Sequence, residues 1–126
     1  RIEKGFQPPV IEVGNLDIER DFMDGRDVAR AYVGALLSGE PAGEDAAFNL
    51  ATGAPIPVRA ILDGLLALSS AAIETRTDPA RVRPGEIRTI SGDPSHAALR
   101  LGWKARIPLG ETLSGVLDDW RRRVTQ

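Results

Sequence analysis

The residue types best suited to chemistry stand in two short stretches outside any amphipathic pattern: "RVRPGE", residues 81–86, and "ERDFMD", residues 19–24. In the first, Arg83 and Glu86 flank a Pro-Gly pair. A guanidinium offers a planar fork of donors that fits phosphate oxygens, and a carboxylate accepts paired hydrogen bonds from adjacent hydroxyls such as those of a ribose. Pro84 restricts Arg83 to extended backbone and fixes its own φ, so a short, stiff segment holds the two side chains in a defined relation. Gly85 leaves room for the close approach of another group. Together the pair has the chemistry to read a nucleotide; a surface ion pair worth little explains the same residues. In the second stretch Arg20 is a further anion-binding candidate, or simply a partner for Asp21 or Asp24.

Other groups have structural explanations at hand. Asp24 and Asp27 form a carboxylate pair usable in acid-base or metal chemistry, yet their spacing is that of a capping box with aspartate in place of glutamate. His96 falls in the first turn of a predicted helix as a solvated residue. Tyr32, Trp103 and Trp120 are expected to pack. With no cysteine and one histidine, thiolate and all-histidine metal sites are excluded, as are disulfides.

These groups need elements to position them. Residues 9–13 and 19–23 read as two strands, together suggesting a hairpin with a longer loop. Asp24 then opens a helix with Val28, Ala31, Tyr32, Ala35 and Leu36 on its buried stripe, ending near Gly39. "EPAGEDA", residues 40–46, is a loop, and residues 47–50 a short buried strand. Pro57 suits the first position of a second helix with Val58, Ile61, Leu62 and Leu65 inward. Residues 72–77 and 87–91 are strand candidates on either side of the Arg-Pro-Gly-Glu elbow. Asp93-Pro94 starts a third helix that stops at Gly102, and Leu109, Leu113, Val116, Leu117, Trp120 and Val124 mark one face of a fourth. The class is α/β, with mixed short strands and about four helices.

The 126 residues suit one compact unit, and 42% hydrophobic with 27% charged residues suits a globular one. A net charge of -2 points away from nucleic acid, since the one basic run, Arg121-Arg122-Arg123, closes the last helix where cations suit the dipole. No run is apolar enough to span a membrane and no signal peptide is visible, so the expected compartment is the cytoplasm. Arg1 to Gly5 reads as the last turn of a helix with Gly5 as its stop, so the chain is expected to be part of a longer protein.

The motifs "VGNLDIERDFMDGRDVARAY", "AFNLATGAPIPVRAIL", "RVRPGEI" and "GDPSHAALRLGWKARIPLGETLSGVLDDW" occur in an order that resembles the C-terminal part of the extended short-chain dehydrogenase/reductases acting on nucleotide sugars. The nearest members in pattern are GDP-4-dehydro-6-deoxy-mannose reductases and GDP-mannose 4,6-dehydratases. The resemblance implies an upstream Rossmann domain holding NAD(P), and a smaller C-terminal domain, here residues 1–126, that binds a GDP-sugar and includes elements completing the Rossmann sheet, residues 47–50 among them. It also implies a homo-oligomeric parent. Arg20 matches the arginine of the R-D-F/W/Y motif and Arg83 that of the R-P-x-E/D element, both implied to bind the diphosphate. Glu86 is implied to accept ribose hydroxyls, and the strand from Val10 to Val13 to lie near the base.

Gly25 stands where the family has an apolar residue. No G-x-x-G-x-x-G loop occurs, and Leu36 follows Tyr32 at the position of the family's lysine, so the cofactor loop and the Tyr-x-x-x-Lys pair are expected upstream. No cofactor is expected on this chain alone. "RDFMDGRD" is closer to the reductase pattern than to the R-D-W-G-H of the dehydratases, with dehydratase or epimerase as alternatives. A binding module without catalysis is the reading from another class.

Overall fold

A computed structural model describes residues 1–39 and 47–124. The elements are β1 (Val10–Val13), β2 (Glu19–Arg20), α1 (Gly25–Leu37), β3 (Ile56–Pro57), α2 (Val58–Leu68), β4 (Glu74–Thr77), a 3-10 turn (Pro79–Arg81), β5 (Thr89–Ile90), α3 (Ser95–Leu101) and α4 (Leu109–Arg123). The chain divides into two compact units where the sequence reads as one. The first contains Arg1–Glu19, Pro57–Arg88 and Gly110–Gln126; the second contains Arg20–Ile56 and Thr89–Leu109. The loop expected over residues 40–46 lies outside the described residues.

The expected hairpin does not form. β1 pairs with β4 in parallel, Val10 opposite Glu74 and Val13 opposite Thr77, whereas β2 belongs to a separate set of short strands in the order β3-β2-β5. A hairpin needs two strands to meet end to start across one turn, and β1 instead takes its ladder from a strand some sixty residues further on. Residues 47–50 join no strand among the described residues.

In the first unit, α2 and α4 approach closely at Gly64, where an added Cβ would lie 2.6 Å from a Leu113 methyl. Leu113 is buried and the inward residues of α2 are half-buried. Residues 1–6 form a helix-terminating motif, as expected: Gly5 has φ +72°, its N–H donates to the Ile2 carbonyl at 2.8 Å, and the Phe6 N–H donates to that of Arg1 at 3.0 Å. This turn is clamped by Glu3. Its carboxylate accepts from Arg121 Nε at 2.8 Å and Nη2 at 2.7 Å and from the Ser70 N–H at 2.9 Å. Arg121 also donates to the Leu68 carbonyl at 2.9 Å and to Asp118 at 2.9 Å. The arginine run therefore ends α4 as expected and ties three segments of its unit together.

The second unit is built on α1 and α3. Asp24 caps α1, accepting from the Arg26 N–H at 2.8 Å, and Gly102, at φ 59°, ends α3. Asp93 accepts from the Ser95 N–H at 2.9 Å, so the expected cap is in place. Two alanines, Ala31 and Ala97, let the helices meet, and Trp103 fills the remaining space with Met23, Phe48, Leu50, Leu101 and Ala105 around it. Asp27 is not the returning half of a capping box. It is fully buried and accepts from the Arg106 and Ile107 N–H groups at 2.8 and 3.0 Å and from Arg30. Burial pulls its carboxyl up, but these donors outweigh burial and hold it below the ordinary carboxylate range. A backbone N–H left without such a partner costs about 1–3 kcal/mol.

The stripe expected on α1 is only partly inside. Ala31 is buried, and Val28 and Ala35 are half-buried, but Tyr32 and Leu36 are exposed, Leu36 at 84%. With Val33 and Leu37 they make an apolar outer face, because the inner face of α1 is narrowed to the alanine positions that meet α3. Leu36→Glu is therefore expected to leave the thermal midpoint unchanged and to reduce the average mass measured by light scattering at high concentration.

The Glu3 clamp sets a pH dependence. Hydrogen bonds from Arg121 and Ser70 lower the Glu3 carboxyl from its ordinary 4.5 to about 2. Because the folded-state pKa is depressed, the stabilisation is complete above about 4.5 and is lost as the pH falls through about 2. Urea unfolding of wild type and Glu3→Gln across that window is expected to show a steeper loss of stability in the wild type, and lower stability of the variant at pH 7.

Candidate functional site

Arg83 and Glu86 occupy the first and last positions of a turn whose centre is Pro84-Gly85. Gly85 has φ +74°, the left-handed value that the third residue of a type II turn requires, and proline is the residue best suited to the second. The turn therefore brings Arg83 and Glu86 close in space. No group of the described residues lies within 4 Å of a Cβ built on Gly85, so within the chain the glycine serves the backbone angle, and the space beside it is open.

Both residues line a polar recess of about 510 Å³ with Glu12, Gly14, Asn15, Ala80 and Arg81. The recess exists because β1 and β4 run parallel and end together. The Asp78 N–H extends the ladder to the Val13 carbonyl at 2.8 Å, and the Asp78 carboxylate accepts from the Ala80 N–H at 2.9 Å to start the 3-10 turn. Arg81 is held by Asp78 at 3.1 Å and faces Glu12 at 3.6 Å. Gly14 passes so close to this turn that an added Cβ would lie 2.6 Å from the Arg81 carbonyl oxygen. Among the described residues the exposed Arg83 guanidinium makes no hydrogen bond or ion pair, so its donors face solvent.

The structure thus brings together two of the predicted residues. Val10 is half-buried at the start of β1 and does not line the recess; Glu12, Gly14 and Asn15, from the other end of β1 and beyond, do. Arg20 ends β2, half-buried, in the second unit. Its neighbour Asp21 is committed to the backbone, accepting from the Thr52 N–H at 2.9 Å, the Thr52 hydroxyl at 2.5 Å, the Gly53 N–H at 2.9 Å and the Gly92 N–H at 3.4 Å. Burial raises the Asp21 carboxyl, and these donors more than offset it, leaving it below its ordinary value. His96 bonds the Ala47 carbonyl at 3.2 Å and stacks on Phe48. Of the predicted packing aromatics, Trp103 is buried, while Tyr32 and Trp120 are largely exposed.

Sequence reasoning passed over Glu12, Gly14, Asn15 and Arg81. Gly14-Asn15 was visible as the end of a β-prone run, but its role depends on the partner strand.

The α/β arrangement and the Arg-Pro-x-Glu turn fit the class of extended short-chain dehydrogenase/reductases, and four matches bear on the assignment. The family described as GDP-mannose 4,6 dehydratase matches residues 1–115, and the chain belongs to that family. It is 38% identical to the GDP-6-deoxy-D-mannose reductase of Pseudomonas aeruginosa, over 100% of this chain and 40% of that protein. The structure of RMD from Pseudomonas aeruginosa complexed with NADPH superposes with a TM-score of 0.86 at 31% identity, covering 98% of this chain and 40% of the other. That of the UDP-glucose 4-epimerase from Thermotoga maritima with UDP-glucose superposes at 0.77 with 25% identity, covering 97% and 37%. The chain thus spans about two fifths of the length of these relatives.

Gly14→Ala tests how the recess is built. The methyl would meet a carbonyl fixed by the 3-10 turn, so a stability loss of about 1–3 kcal/mol is expected in denaturant titration, the range for overpacking.

Proposed function

We propose that this chain is the substrate-binding part of an NAD(P)-dependent oxidoreductase of nucleotide sugars, and that the parent reduces GDP-4-dehydro-6-deoxy-D-mannose to a GDP-deoxyhexose. The single observation that carries the reading is the presence of Arg83 and Glu86 at the two ends of one turn and on one polar recess. Arg83 grips the diphosphate through its unengaged donors, and Glu86 accepts the ribose hydroxyls. Arg20 supplies a second guanidinium to the diphosphate, and the base lies along the β1 side. The 38% identity to a GDP-6-deoxy-D-mannose reductase supports the reductase reading. The family match supports a second, dehydration of GDP-mannose.

Hydride transfer belongs to NAD(P), which supplies that chemistry when bound to the parent's upstream domain; the residues described here bind and orient the sugar nucleotide. The parent acts in the cytoplasm as a homo-oligomer. Among the described residues, no helix is long and apolar enough to cross a membrane.

Calorimetry with the GDP-sugar tests the assignment. Arg83→Ala is expected to weaken binding by about 1.5–3 kcal/mol, the range for a hydrogen bond to a charged group. Unchanged affinity in both Arg20→Ala and Arg83→Ala would sink the site. Turnover of GDP-4-dehydro-6-deoxy-D-mannose with NADPH, against turnover of GDP-mannose with NADP, by the parent separates reductase from dehydratase.

A further inference from the structure

The first unit is short of a core. Among the described residues Leu113 is its only buried apolar side chain, and α2 buries none of its residues although Ile61, Leu62, Leu65, Leu66 and Leu68 make up five of its eleven. Those side chains form a wall instead. Leu62, Leu65 and Leu66 of α2 face Leu117 and Trp120 of α4 across an apolar groove of about 690 Å³, which Ile11 of β1 and Val124 also line. Every lining residue belongs to the first unit. Trp120, the largest of them, stands 58% exposed.

Two apolar stripes at three- and four-residue spacing, on helices that touch at Gly64 and Leu113, leave between them the kind of furrow that a third helix fills. The end of such a helix is in place. The bonds from the Phe6 N–H to the Arg1 carbonyl and from the Gly5 N–H to the Ile2 carbonyl are the pair that closes an α-helix, and both Arg1 and Ile2 line the groove. The turn is held between the ends of α2 and α4: Glu3 bonds Arg121 and the Ser70 N–H, and Lys4 Nζ donates to the Val124 carbonyl at 2.5 Å. On a helix that ends here, the residues three, four and seven places before Ile2 share the face of Ile2 and so meet the same groove.

We propose that the groove is filled by the helix that ends at Gly5, formed by the parent's residues immediately before Arg1, and that the first unit completes its core only with that helix in place. The occupant is amphipathic, apolar on the face it shares with Ile2 and polar on the other. It also braces the recess from behind. Ile11 and Glu12 are successive residues of β1 and point to opposite faces of the sheet, Ile11 into the groove and Glu12 into the recess. None of this depends on which ligand the recess takes, so it stands or falls apart from the function proposed above.

Hydrogen exchange of the parent, read by mass spectrometry, tests it. Peptides covering about ten residues before Arg1 are expected to exchange at least about tenfold more slowly than an unstructured chain, and Leu66→Glu is expected to speed exchange there and in α2 together. Trp120→Ala gives a second reading. Removal of an exposed side chain leaves the thermal midpoint of the parent unchanged, whereas removal of one covered by the helix is expected to lower it by about 5 °C or more. Free exchange before Arg1, protection there that Leu66→Glu does not touch, or an unchanged midpoint in Trp120→Ala overturns the assignment. An unprotected segment together with a doubled mass in light scattering overturns it in favour of a second copy of the chain in the groove. If Leu66→Glu fails to fold, Trp120→Ala decides.

Discussion

The parallel pairing of β1 with β4 is the constraint on which the recess depends. Parallel strands end on the same side of the sheet, so whatever follows each is delivered to one place. Here Gly14-Asn15 follows β1, and the 3-10 turn with the Arg-Pro-Gly-Glu turn follows β4. An antiparallel pair would have put the end of one strand beside the start of the other and separated these segments by the length of the ladder. Gly14 makes the convergence tight, since only a residue without a side chain leaves room for the Arg81 carbonyl.

The carboxylates divide into two populations by how much of their hydrogen-bonding capacity the fold consumes. Glu3, Asp21 and Asp27 each accept three or more bonds, and each is held below its ordinary pKa as a result. They work as fixed negative knots around which backbone N–H groups and arginines are gathered. Glu12 is held only by charge, at a distance too long for a bond. Acidic residues of similar appearance in the sequence thus differ in how far the surrounding backbone and arginines engage them.

What was legible in the sequence was local. Asp24 as a cap, Gly39 and Gly102 as stops, the four helices and the Pro-Gly turn follow from residues within a few positions of one another. The Arg83 and Glu86 pair was legible for the same reason, as both ends of one turn. What failed was non-local. Nothing near residues 10–13 specifies β4 as their partner, and nothing in the spacing of Asp27 reveals that its donors come from residues 106 and 107. Helical periodicity marked the apolar face of α1 without saying how much of it this chain's own segments cover, and Tyr32 and Leu36 stand exposed.

The way the chain is threaded through its two units sets an order of completion. The second unit has all its segments once Leu109 has been synthesised, whereas the first needs α4 before the clamp on Glu3 can close. The clamp between Glu3 and Arg121 closes a span of 118 positions, a contact of high sequence separation whose closing entropy rises only slowly with length but whose formation is slow. The turn that carries Glu3 therefore takes up its final place only when Arg121 is available. Until then that turn lacks the partner that fixes it, and an unfixed segment is open to other contacts.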